Sequence, residues 1–104
     1  LDKVVELVEQ VKAIVAGNPD RASLWRAYVA LEYAVMDLKL RHNMEGEAPP
    51  VKPAKKTVYI KEARSMIERL DPSGDKRKLL RELRSCRDVV KALVAGYDRR
   101  STTS

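Results

Sequence analysis

The chain has 104 residues, 44% of them hydrophobic and 35% charged, with a formal net charge of +6. That length suits one domain, residues 1–104, and the composition is not that of a disordered chain. No apolar run approaches the ~20 residues a membrane helix needs, so no membrane partner is expected.

Residues 1–16 read as a first helix. Leu1, Val4, Val5, Val8, Val11 and Val15 recur at helical steps, and Asp2, Glu6, Glu9 and Gln10 fall opposite them. Val is a mediocre helix former, so packing has to hold this helix more than propensity does. Gly17 is expected to close it in a left-handed conformation. Asn18 is then expected to cap a second helix, with Pro19 at its first position.

The second helix is the long one, from 19 to about 44. It has two apolar faces. Leu24, Tyr28, Leu31, Val35 and Leu38 form one, and Trp25, Val29, Tyr33, Met36 and Leu40 form the other, nearly opposite. Arg21, Glu32 and Lys39 run along one flank between them, and Arg26, Asp37 and Arg41 along the other.

Gly46, Pro49, Pro50 and Pro53 make residues 45–56 a stiff linker. A third helix follows, from a Thr57 cap to near Leu70, with Tyr59, Ala63, Met66, Ile67 and Leu70 on its apolar face. A short strand at Thr57–Ile60 is the alternative, because three of those four residues favour strands. Asp71-Pro72-Ser73-Gly74 breaks the chain again. Ser73 or Asp75 caps a fourth helix to about Tyr97, and residues 99–104 are expected to fray. Leu79, Leu83, Cys86, Val90, Leu93 and Tyr97 step 4-3-4-3-4 along its seam, widened by Leu80 and Val94. The expected fold is all-α: an antiparallel four-helix bundle with a long second helix and a Pro-rich linker between helices two and three.

The charge is unevenly spread along these elements. Residues 76–104 hold nine Lys or Arg against three acids, whereas residues 1–75 balance twelve against twelve. The excess is therefore one local field, of the kind that attracts polyanions and weakens with salt. Arg77, Arg81, Arg84 and Lys91 share an outward face of the fourth helix, with Lys76 and Lys78 beside its start. Asp88 interrupts that face and is expected to offset Arg84 and Lys91 in part. Arg87 lies at the apolar margin, where its stem packs and its head reaches outward. Nucleic-acid backbone, DNA or RNA, is the expected partner of this stripe, because a guanidinium fork makes two hydrogen bonds to one phosphate. No aromatic residue interleaves the stripe, so contact without sequence reading is the expected mode. A solvated helix face, or the docking site of an acidic protein, is the plainer alternative.

The second apolar face of helix two needs a cover. Either the helix lies between the other three, or Trp25, Val29, Tyr33, Met36 and Leu40 form a protein interface in a homodimer or a larger complex. His42 and Cys86 read as structural residues, the first at a helix C-terminus and the second on a buried seam. Glu45 and Glu47 read as a solubilising loop, and Pro50-Val51-Lys52-Pro53 as a spacer, although it fits the P-x-x-P ligand spacing. No P-loop, dinucleotide-binding glycine pattern, nucleophile elbow or zinc-protease motif occurs. No enzymatic activity, catalytic residue, cofactor, metal or small-molecule substrate is therefore expected. The single cysteine fits a cytoplasmic setting. The absence of Phe and the scarcity of Gln and Asn resemble a thermophile's composition. Leu1 in place of Met is compatible with a longer natural N-terminus.

Overall fold

A computed structural model describes residues 3–41 and 60–103, the side chains of 97–103 excepted. Among the described residues all regular structure is helical and there is no strand. The helices are α1 (Lys3–Ala16), α2 (Arg21–Arg41), α3 (Ile60–Glu68) and α4 (Lys76–Thr103). The linker at 45–56, the Thr57 cap, Tyr59, His42, Glu45, Glu47 and the P-x-x-P tetrad lie outside the described residues, as does the side chain of Tyr97.

In α1, Val4, Leu7, Val8, Val11 and Val15 are buried. Leu7 replaces Val5 in the expected face, because the arc that meets the neighbouring helices is centred between the Val4–Val8–Val15 and Leu7–Val11 rows. Val5 points to solvent. The end of α1 differs from expectation too. Gly17 does not take the left-handed conformation. Arg64, on α3, closes the helix instead: its Nε donates to the Val15 carbonyl at 2.7 Å and its Nη2 to the Gly17 carbonyl at 3.1 Å. A cationic fork on the last carbonyls satisfies orphan acceptors and meets the negative end of the helix dipole.

α2 starts later than expected, with Asp20 as its cap in place of Asn18. The Ser23 N–H donates to Asp20 Oδ1 at 2.8 Å, and the Leu24 N–H donates to the Asp20 carbonyl at 3.0 Å as the first helical bond. The carboxylate is the stronger acceptor for an orphan N–H, and its charge suits a helix start. Pro19 is buried ahead of the helix. On the inner face, Leu24, Leu31, Val35 and Leu38 are buried with Ala27, Ala30 and Ala34, and Tyr28 packs partly against them.

α3 buries Ala63 and Ile67, and Leu70 is buried just beyond it. Its end tightens through bonds from the Arg69 and Leu70 N–H groups to the Met66 and Ile67 carbonyls. Lys12, on α1, donates to the Leu70 carbonyl at 3.1 Å. In the turn that follows, Asp71 Oδ1 accepts from the Ser73 N–H and hydroxyl, and the Gly74 N–H donates to the Asp71 carbonyl. Asp75 then caps α4: its Oδ2 accepts from the Lys78 N–H at 3.3 Å and its carbonyl from the Leu79 N–H at 2.9 Å. α4 continues past Gly96 and Tyr97 to Thr103, beyond its expected end. Leu79, Leu80, Leu83, Cys86, Val90, Leu93 and Val94 are buried as the seam requires, and Val89 joins them.

α2 packs against both α1 and α4, and α3 packs against the same two helices. α1 and α4 do not meet, nor do α2 and α3. Each helix thus has two neighbours around one apolar core, and no polar or charged side chain among the described residues is fully buried. The inward faces account for the core, which leaves the outward faces of α2 and α4 to be explained separately.

Candidate nucleic-acid and protein interfaces

The seam of α4 faces the core, so the positions half a turn away face solvent. Arg77, Arg81 and Lys91 are exposed there and Arg84 is half-buried. From Arg77 to Lys91 the face runs ~21 Å at the helical rise. Lys76 and Lys78 differ from the rest of the set. Lys76 is half-buried, and its Nζ donates to the Pro72 carbonyl at 2.9 Å, which ties it to the preceding turn. Lys78 is exposed, with its Nζ 3.9 Å from Glu82 one turn on. Arg87 turns the other way: its Nη1 lies 3.0 Å from Glu32 on α2, and its Nε donates to Asp88 Oδ1 at 3.3 Å. Its head thus joins α2 to α4, whereas the sequence pointed it only outward.

The other surface lies on α2. Trp25, Tyr33, Met36 and Leu40 are 48%, 58%, 54% and 66% exposed, and Val29 between them is half-buried. The reading in which α2 is enclosed by the other helices does not match these exposures. The stripe is ~22 Å long from Trp25 to Leu40 at the helical rise. Trp25 is steadied by the Tyr28 ring at 5.3 Å between centroids. Large apolar side chains scattered singly on a surface are ordinary; a row of them on one helix face is not. Asp37 on one flank pairs with Arg41 at 3.1 Å. On the other, Glu32, Val35, Met36, Lys39 and Leu40 border a shallow hollow of about 240 Å³ closed by Arg87.

Between α3 and α4 lies a groove of about 320 Å³, lined by Met66, Arg69, Arg81, Glu82, Ser85 and Cys86. Burial pushes the Cys86 thiol up to about 12, with the nearby Glu82 charge adding to the rise and Arg69 opposing it. The thiol is therefore neutral and unreactive at ordinary pH, as its seam position implied. Arg69 and Ser85 were not singled out from the sequence. Arg69 sits in the charge-balanced part of the chain, and only the packing of α3 on α4 brings it beside Arg81. For Ser85 the signal was its step of four from Arg81, which puts both on neighbouring turns.

Among the described residues no group of three or more His, Cys, Asp or Glu side chains converges to hold a metal ion. None of their helices is long and apolar enough to cross a membrane. No protein-family model matches the chain, and comparison with curated proteins and with solved structures gives no match.

Proposed function

We propose that this chain is a non-enzymatic helical accessory protein whose α4 outer face grips nucleic-acid backbone, alone or within a nucleoprotein complex. The observation that carries this reading is the position of the charge. Arg77, Arg81 and Lys91, from the segment that holds all of the excess charge, stand exposed on the side of α4 opposite the core. Packing does not require them there. Helix-face arginines that hold phosphates read no base edges, so affinity depends little on sequence. The test is a salt series on duplex DNA, single-stranded DNA and RNA by fluorescence anisotropy. Each neutralised phosphate contributes about −0.9 to the slope of log affinity against log salt on a duplex, so Arg77, Arg81, Arg84 and Lys91 give a slope near −3 to −4 per subunit. Reversing Arg77, Arg81 and Lys91 to Glu abolishes binding and leaves helicity intact. Arg84 is spared because it is half-buried. Reversing Lys3, Arg21 and Lys61 is the charge-matched control. Equal loss in both triples, or no binding to any of the three polymers at ~50 mM salt, where backbone contacts are strong, defeats the reading in favour of an acidic protein partner.

A second observation, the exposed row on α2, supports assembly through a homodimer. The four helices are read as an antiparallel bundle, supported by the reciprocal bonds of Arg64 to the end of α1 and of Lys12 to the end of α3. In that bundle the α2 row faces outward at Trp25, Tyr33, Met36 and Leu40, with Val29 half-buried between them. Two copies of α2 laid antiparallel set Trp25 opposite Leu40 and Val29 opposite Met36, with Tyr33 at the two-fold axis. The same register brings Arg26 of one copy within about 3 Å along the axis of Asp37 of the other, at the helical rise. A two-fold axis repeats that pairing, so one face satisfies itself.

A further inference from the structure

The α3–α4 groove joins two guanidiniums that lie far apart in the chain, and their surroundings suit an anion. Arg69, just past the end of α3, is held against that helix: its Nε donates to the Ser65 carbonyl at 3.2 Å and its Nη2 to the Ser65 hydroxyl at 3.4 Å. Its remaining N–H groups are open, in a fork whose orientation is already fixed. Arg81 is exposed, and its side chain makes no hydrogen bond or ion pair among the described residues. The Ser85 hydroxyl, one turn on, is likewise without a partner there, although a helical serine commonly bonds back to the carbonyl four residues earlier. Met66 and Cys86 form the floor, one half-buried and the other buried. An apolar, uncharged floor strengthens the electrostatics above it.

We propose that this groove is a phosphate seat, in which Arg69 and Arg81 grip the phosphate from two helices and the Ser85 hydroxyl donates to it. This rests on the reading of α4 as a polyanion-binding face and deepens it: the grip is a two-helix clamp at one end of α4, and the rest of the stripe supplies long-range attraction. The neutral state of the Cys86 thiol keeps negative charge off the floor. Glu82, also in the lining, opposes the anion, and Lys78 3.9 Å away offsets it in part. A volume of about 320 Å³ admits a phosphate together with part of the group that bears it. That phosphate belongs to a nucleic-acid backbone or to a small phosphorylated molecule, and the two sources differ in what the stripe adds.

The experiment uses the full chain, duplex DNA and inorganic phosphate as the two probes, and the variants Arg69→Gln, Ser85→Ala, Glu82→Gln and Lys61→Gln. Lys61, exposed on the same helix as Met66, controls for the loss of one charge. Arg69→Gln weakens duplex binding about tenfold, the loss of one charge-assisted contact. Ser85→Ala weakens it about threefold and Lys61→Gln less than about twofold on the same scale. Glu82→Gln tightens binding about threefold, by removing the opposing charge. In parallel, inorganic phosphate shifts the Arg69 and Arg81 Nε–Hε resonances saturably and leaves that of Arg77 in place. Circular dichroism confirms that each variant keeps its helices. If Arg69→Gln and Lys61→Gln weaken duplex binding equally, and Arg77 and Arg81 respond to phosphate alike, the seat is overturned while the backbone reading survives. If the duplex does not bind but phosphate still shifts Arg69 and Arg81 saturably, the seat stands as a site for small phosphorylated molecules and the backbone reading falls. If neither probe binds, both fall.

Discussion

α2 and α4 contribute the same kind of inner face to one core, and their outer faces have nothing in common. Leu24, Leu31, Val35 and Leu38 on α2 are buried as completely as Leu79, Leu83, Val90 and Leu93 on α4. Outward, α2 carries Trp25, Tyr33, Met36 and Leu40, whereas α4 carries Arg77, Arg81 and Lys91. Folding constrains the inner faces, because each Leu or Ile there contributes by leaving water. It places little constraint on an outer face, where a mixed polar surface is the default. An apolar row on one helix and a cationic row on its neighbour are therefore two separate departures from that default. Glu32 and Arg87, 3.0 Å apart at the junction of the two helices, mark where they meet.

The largest effect expected from breaking this comparison is on the inner side. Leu31 is fully buried in α2. Leu31→Ala removes its apolar contacts and leaves a cavity, at a cost of ~2–5 kcal/mol. Chemical denaturation measures the loss as a lower midpoint with an unchanged slope. Leu40→Ala, on the outer face of the same helix, is the sharpening control. Leu40 is 66% exposed, so the folded monomer loses little by its truncation. Equal losses at Leu31 and Leu40 would mean that the two faces of α2 are not distinct.

The next effect separates the outer faces from each other. Val29→Glu or Met36→Glu buries an unpaired carboxylate if two copies meet through α2, a cost of ~3–5 kcal/mol for each uncompensated charge. Gel filtration with light scattering then reads a folded monomer in place of the proposed dimer. The same experiment on α4, with Arg77→Glu, leaves the proposed dimer intact, because that exposed side chain lies on α4, outside the α2 row. A wild-type monomer at all accessible concentrations would remove the proposed α2 interface, and so would a variant that loses its helices on introduction of the Glu.

Much of this architecture was legible in the chain because periodicity survives without tertiary knowledge. The step of Leu79, Leu83, Cys86 and Val90 announces a buried seam, and the two rows on α2 are separable by counting. What was not legible depends on contacts across the fold. Asn18, Pro19 and Asp20 all suit a helix start, and only the hydrogen bond to Ser23 decides for Asp20. The arginine that closes α1 lies 49 residues from the carbonyl of Val15, and the lysine that closes α3 lies 58 residues from Leu70. Both belong to the charge-balanced stretch, where a basic residue reads as mere surface. Arg69 was hidden for the same reason: charge counting pointed to residues 76–104, and a groove has two walls. Leu7 and Val5 exchanged roles because a two-row apolar arc leaves its edge undecided until a neighbour is packed against it.

The smallest effect concerns how the two helices begin, and it sharpens the comparison through acid titration. Asp20 starts α2, and its carboxyl is held below the usual 3.8 by the bonds from the Ser23 backbone and side chain, with burial opposing and Arg26 assisting. Asp71 shapes the turn ahead of α4, and its carboxyl is lowered chiefly by the Ser73 hydroxyl and N–H. A depressed folded value means that the unfolded chain takes up the proton first as pH falls. The stabilisation is therefore complete above about 3.8 and is lost as pH drops through the lower folded value. Both groups are exposed, so the effect is a modest decline in the thermal midpoint, confined to that acid window. Asp20→Asn keeps an oxygen acceptor for the Ser23 N–H and removes the titration. Its midpoint at neutral pH stays near that of the wild type, and its decline below pH 4 is shallower. Asp20→Ala loses the cap at every pH, which lowers the midpoint throughout. Asp71→Asn isolates the turn before α4 in the same way, though it weakens the charge-assisted bond from the Ser73 hydroxyl. If Asp20→Asn declines in acid as steeply as the wild type, the Asp20 cap is not a titrating contact. If both Asn variants do, the acid sensitivity lies in other carboxylates, and α2 and α4 differ only in their outer faces.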